Sequence, residues 1–508
     1  MYMIWQALAW KEWHEHKWKL AAATAIVVSV SSMPLYDYDR MSFGAATFLA
    51  VFCILPLAMF IGAGVATGER SRGTLEFTRA LPVPQWKVAA HKLAAGALTC
   101  IVPIIVNILL VLALYAALKY ALNKSDAVLT LPGLGSNNRL DLHEWLVESL
   151  ILATLSALSI FVWTAALGVR AKDEVSACAR ALLGIFLWWT ILIGAMMLWR
   201  WRGVIPLAYA ASPGGWFAYA SVAERENLQI GLGMAAAVAM LLLLAVVYLV
   251  RFQSSPSALV RSQKSAEVDC LQVAWLAPPF ASRPLATIWK QYRESRPIVL
   301  TGLAGIGLLS LAVSAANWQQ MNLQNVGTIV AGVSLYFGFL VTLVVAVGLF
   351  LHDLQPQLHT FWRSRPVPPD QYFWLKFVTG IAVLAATFAV PFLCAAATNG
   401  ISHPDFRAIG PWAVLVPIWL YCAAVMMTCL VRHAIYAAIL SGAVMYLNFL
   451  LIVGGTRAWL LATRQISWEK WSDPSSAEVA ASMIIGSIAF AIIAWLCVRN
   501  DWGAKSRY

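Results

Sequence analysis

Twelve runs of mainly apolar residues, each long enough to cross a bilayer as a helix, dominate this chain. They fall near 19–35, 44–66, 94–118, 149–169, 181–199, 228–250, 298–315, 326–351, 374–397, 411–431, 434–456 and 479–497. Hydrocarbon offers no partner to a backbone N–H or C=O, so each run has to satisfy its own hydrogen bonds as a helix. Charged residues make up only 12% of the chain, about half of what a soluble domain carries. The expected fold class is therefore an all-α polytopic membrane protein with about twelve transmembrane helices.

Charge asymmetry orients the spans. With both termini cytoplasmic, the inner segments hold 25 of the 36 Lys and Arg and the outer loops hold 11, while the acids divide 12 and 12. The net charge of +12 thus follows from topology and gives no reason to expect nucleic acid as a partner. Cysteines occur at 53, 100, 178, 270, 394, 422, 429 and 497, none in an outer loop, and read as packing residues rather than a disulfide framework or a metal site. The first apolar run begins only after Tyr2–Lys19, a stretch rich in Trp, His, Lys and Glu. That stretch does not read as a cleaved signal peptide. It suits a helix lying in the interface and leading into the first span.

The chain reads as an internal duplication. Trp10-Lys11-Glu12-Trp13-His14-Glu15 aligns with Trp289-Lys290-Gln291-Tyr292-Arg293-Glu294, and Arg79-Ala80-Leu81-Pro82-Val83-Pro84 with Arg363-Ser364-Arg365-Pro366-Val367-Pro368. At a constant offset of 284, Gly64 meets Gly348, Glu69 meets Asp353, Phe77 meets Phe361 and Lys92 meets Lys376. The expected organisation is a first six-span domain over 1–250 that opens with the interfacial helix, a cytoplasmic linker over 251–288, and a second six-span domain over 289–508. Both halves start on the same side, so the two six-helix repeats are parallel, related by an axis along the membrane normal.

Between the second and third spans lies a charged stretch, Glu69-Arg70-Ser71-Arg72-Gly73-Thr74-Leu75-Glu76-Phe77-Thr78-Arg79-Ala80-Leu81-Pro82-Val83-Pro84. A tight turn would connect these spans. Instead there is a helix-compatible segment stopped by two prolines, with Glu76 and Arg79 spaced to share a face. Together with the Trp-Lys-Glu opening, this run resembles the permease subunits of type-2 ABC exporters. In that family six spans make one membrane domain, and the segment between spans two and three is a coupling helix that docks into a nucleotide-binding subunit. The resemblance covers about 1–250 and extends by repetition to 285–500, which implies two permease domains fused in tandem.

Carried over by position, the resemblance implies that Glu69, Arg72, Gly73, Thr74, Leu75, Glu76, Arg79 and Pro82 form the first ATPase-coupling region. The second, His352 to Pro369, is implied around Asp353, Phe361, Arg363 and Pro366. It departs from the pattern: Gln357, Leu358, His359 and Thr360 stand where Gly73, Thr74, Leu75 and Glu76 do, and Pro356 interrupts the helix. The chain contains no Gly-x-x-x-x-Gly-Lys-[Ser/Thr] phosphate loop, so it is read as a transport subunit and not an enzyme. No cofactor or metal is expected in the chain itself. ATP and magnesium belong to a separate soluble ABC ATPase, expected in two copies. The implied setting is the plasma (inner) membrane.

Two other classes fit the residues less well. Ion-coupled secondary transport needs ionisable groups within the spans, where Asn107 and Asn448 are the main polar groups away from the ends. A glycosyltransferase-like membrane enzyme would place acids in a first outer loop, as Asp37 and Asp39 stand here, but the second half has no counterpart. No residue identifies the transported substrate.

Overall fold

The apolar runs fold as helices in the computed structural model, which describes residues 2–31, 43–71, 74, 78, 83–121, 142–198, 205–213, 227–254, 283–316, 323–354, 368–397, 404–463 and 475–502. The first half contains α1 (Tyr2–Ser31), α2 (Phe43–Ser71), α3 (Gln85–Ala121), α4 (Leu142–Gly168), α5 (Glu174–Leu198), the short α6 (Ile205–Ala210) and α7 (Asn227–Gln253). The second contains α8 (Arg283–Ala316), α9 (Leu323–Leu354), α10 (Pro369–Ala397), α11 (Pro404–Val431) and α12 (Ala434–Phe449). A π-helical turn at Leu450–Gly454, then α13 (Gly455–Ala462) and α14 (Ser476–Arg499), complete it. Among the described residues there is no strand. Within the described residues each apolar run falls on helix, and the run 434–456 spans α12, its π turn and the start of α13. Seven stretches of the described residues are long and apolar enough to cross a membrane, in α3, α5, α7, α10, α11, α12 with its continuation, and α14. Shorter apolar stretches lie in α4, α8 and α9. The chain is an all-α polytopic membrane protein.

The interfacial stretch and the first span are one helix. No Gly or Pro stands between Tyr2 and Ser31, so nothing breaks α1. Its faces are reversed relative to a soluble helix: Glu12, His16, Lys19, Ala23 and Val27 form the buried stripe, while Trp10, Trp13 and Trp18 face outward. Indole rings favour the headgroup layer, and the buried charges are held by neighbouring helices.

The described chain separates into two compact units. One holds α1–α4, α5 through Ala181, α6 and α7. The other holds α5 from Leu182 together with α8–α14. Within the first, α1 packs on α2 and α3, α2 on α3 and α4, and α7 on α3 and α4. Within the second, α8 packs on α9 and α10, α9 on α10 and α11, and α14 on α10 and α11. Replacing α1, α2, α3, α4 and α7 by α8, α9, α10, α11 and α14 turns these pairs of one unit into those of the other, while the extensive packing of α3 on α4 belongs to the first unit's set alone.

One glycine position shows how close this likeness runs. A Cβ on Gly96 of α3 would come within 2.6 Å of the Phe161 ring of α4 and 2.9 Å of the Val65 side chain of α2. On Gly380 of α10, 284 residues later, it would strike the Tyr421 ring of α11 and reach 2.8 Å from Leu349 of α9. Val65 and Leu349 are again 284 apart. Each glycine lets an aromatic ring press against the backbone of the third helix of its unit. Gly96→Val and Gly380→Ala should each destabilise the purified protein by about 1–3 kcal/mol through overpacking, read as a lower melting temperature. Gly442→Ala, where nothing lies within 4 Å, should leave it unchanged or slightly raised.

Candidate functional site

The connections between α2 and α3 and between α9 and α10 each close on a buried ion pair. Glu69 lies in the last turn of α2, where the helix dipole disfavours an anion and a positive partner is needed. Two are supplied: Lys11 of α1 donates to its Oε1 at 2.8 Å, and Lys92, seven residues into α3, approaches the same oxygen at 3.0 Å. Lys92 also lies 3.3 Å from Glu12 of α1. Glu12 in turn faces His16 at 3.8 Å, and the His16 ring meets the Thr99 hydroxyl of α3 at 2.9 Å. Two carboxylates and two ammonium groups therefore tie α1, α2 and α3 together at one end of the unit. Burial pushes the Glu69 carboxyl up, but Lys92 and Lys11 outweigh it and hold the group below the usual carboxylate range.

The second unit repeats the pair in the same register. Asp353 stands one residue before the end of α9 and Lys376 seven residues into α10, with Nζ 2.5 Å from Oδ2. Lys376 is completely buried, whereas Lys92 is 4% exposed. Two neighbours differ. Val88 of the first unit corresponds to Tyr372, whose hydroxyl donates to Asp353 at 2.6 Å, and Glu12 corresponds to the buried Gln291. The Lys376 ammonium also donates to the Leu349 carbonyl at 2.7 Å, while the matching Val65 carbonyl accepts from Tyr248 of α7 at 3.3 Å.

Further bonds anchor the end of α2. Arg70 donates to the carbonyls of Val169 and Ala171, both at 2.9 Å, and Arg251 of α7 to that of Ala166 at 3.2 Å. These carbonyls lie at or just beyond the end of α4, where a cation suits the helix dipole. The end of α2 is thus held by side chains or carbonyls from α1, α3, the α4 terminus and α7.

The sequence-derived coupling residues divide accordingly. Glu69 and Asp353 are the buried acids of the two pairs, both inside long helices rather than at the start of a following one. Thr74 is exposed, and its carbonyl accepts the Thr78 N–H at 3.1 Å, one helical turn on. Arg72, Gly73, Leu75, Glu76, Arg79, Pro82, Phe361, Arg363 and Pro366 lie outside the described residues. Sequence reasoning treated Lys92 and Lys376 only as repeat markers and gave no role to Lys11, Glu12, His16 or Tyr372. The shared 284-residue offset of acid and lysine was the available signal. Among the described residues, no group of three His, Cys, Asp or Glu could hold a metal ion.

The family model described as ABC-2 family transporter protein matches residues 7–135. That span contains α1 from Ala7 onward, α2 and α3, hence Lys11, Glu12, Glu69 and Lys92, and the whole connection between α2 and α3. Residues 7–135 form an ABC-2 transporter domain. The first ion-pair cluster lies within that stretch, in a chain that is an integral membrane protein. No curated protein and no solved structure matches the chain.

Breaking a buried pair by removing one member strands the other charge, at a cost of about 3–5 kcal/mol. Asp353→Asn should therefore lower the melting temperature sharply, and adding Lys376→Met should restore most of it. Glu69 gives a pH dependence. Its depressed carboxyl contributes stability above its unfolded pKa, and that contribution is lost as pH falls through the folded pKa. Acid melting curves should fall less steeply for Glu69→Gln than for the wild type.

Proposed function

We propose that the chain is the permease of an ATP-driven exporter, made of two type-2 domains fused in tandem and worked by a separate ATPase. The observation that carries this reading is the ABC-2 match, because residues 72–82 connect α2 to α3 within it. The tandem arrangement draws support from the recurring helix pairs and from the two acid–lysine pairs at one register.

In this reading twelve helices span the plasma membrane with both termini cytoplasmic. Two copies of a soluble nucleotide-binding subunit dock, one on the region Glu69–Pro82 and one on Asp353–Pro366, and those subunits bind ATP and magnesium. Nucleotide binding closes the ATPase pair, moves both regions and shifts the bundle between states open to opposite sides. Outward transport follows the type-2 resemblance. The buried charges favour this reading over ion-coupled transport, since Glu69 and Asp353 each face a lysine at the helix ends next to the connections and Glu12 of α1 pairs with that same Lys92.

The chain purified in mild detergent should bring down a soluble ATPase with vanadate-sensitive activity. Glu76→Arg should abolish that association more completely than Thr360→Arg, because the second region departs from the coupling pattern. Equal effects, or an ATPase that survives both changes, would contradict the assignment of the docking regions.

A further inference from the structure

We infer that Lys92 and Lys376 are positioning residues for coupling: each locks the last turn of one helix to the second turn of the next, so the two helices that flank each connection move as one. The inference rests on the coupling reading above. It adds two residues which that reading does not use.

A segment pushed from outside can act on a bundle only if its two ends do not yield separately. The link 72–84 leaves from α2 and returns to α3, and the link 355–368 leaves from α9 and returns to α10. Without a cross-tie, displacement of either link could be absorbed by the two helix ends sliding past each other. The tie is present at the same place in both units, with the lysine seven residues into the returning helix and the acid one or two residues from the end of the departing one. A completely buried ammonium facing a carboxylate at 2.5 Å resists sliding strongly, since separation leaves charge in a medium that does not solvate it. Aromatic packing reinforces the second tie, where Lys376 lies 5.0 Å from the Tyr372 ring centre and 5.6 Å from that of Phe350.

The first tie has an added property. Lys11 already bonds Glu69, and Glu12 already faces Lys92. Helix α1 therefore reinforces the first tie, holding Glu69 through Lys11 and Lys92 through Glu12.

The test uses the full chain with its ATPase in lipid nanodiscs. Asp353→Asn/Lys376→Met removes both charges together. It should keep the melting temperature within about 2 °C of wild type and retain the ATPase. Permease-dependent hydrolysis should nevertheless fall about tenfold. A folded double variant from which the ATPase no longer co-purifies overturns the inference, because the pair then serves docking rather than coupling. A folded double variant that couples like wild type overturns the inference and leaves the coupling reading standing. A wild-type chain that carries no ATPase overturns both.

Hydrogen exchange on the unmutated complex asks the same question without depending on a variant that folds. On adding ATP and vanadate, amides in the last turn of α9 and the first two turns of α10 should change protection in step. A change confined to one side of the tie overturns the inference.

Discussion

A lysine ammonium sealed inside a membrane protein requires an anion beside it, and much of this structure is arranged around two such lysines. Lys92 and Lys376 each stand about two turns into α3 and α10, among apolar neighbours, and each is met by an acid on the helix before it. Meeting that need sets the register of α2 against α3 and of α9 against α10. It brings α1 into the first unit through Glu12 and Lys11, and Tyr372 into the second as an extra donor. The connections whose ends these pairs join are the segments on which the proposed function depends.

The two units meet the same local needs with different residues. The carbonyls of Val65 and Leu349 are both satisfied, one by a tyrosine from the last helix of the unit and the other by the buried lysine itself. Gly96 and Gly380 both admit an aromatic ring from the fourth helix, phenylalanine in one case and tyrosine in the other. The Tyr421 hydroxyl that lies over Gly380 donates to the Phe377 carbonyl at 3.1 Å, so the added polar atom is satisfied inside the bundle. Neutral Gln291 stands where Glu12 does, so Lys376 faces Asp353 without the carboxylate that Glu12 gives Lys92. In each case the position is retained and the chemistry is rebalanced locally.

Much of this was legible in the residues. Long apolar runs dictate helices because lipid leaves the backbone no other partner, and the offset of 284 that aligns the halves also brings acid and lysine together in both. The contents of the first cluster were not legible. Lys11, Glu12, His16 and Lys19 look like a solvated collar before a span, and only the packing of α1 on α3 shows that Glu12, His16 and Lys19 turn inward. Arg70 reads as one more cytoplasmic cation. Its bonds to Val169 and Ala171 cross about a hundred residues and have no local signature. The glycine notches were missed for a similar reason, since a glycine in an apolar run says nothing about which ring will approach it.

The central claim is that two equivalent connections, each closed by a buried ion pair, receive a motor. A single-particle structure of the chain with its ATPase in lipid nanodiscs tests this most directly. The account predicts two nucleotide-binding subunits, one seated against 72–82 and the other against 355–367, both on the side of the membrane where the acid–lysine pairs lie. Subunits seated elsewhere, or the two connections found on opposite sides of the bilayer, would contradict it.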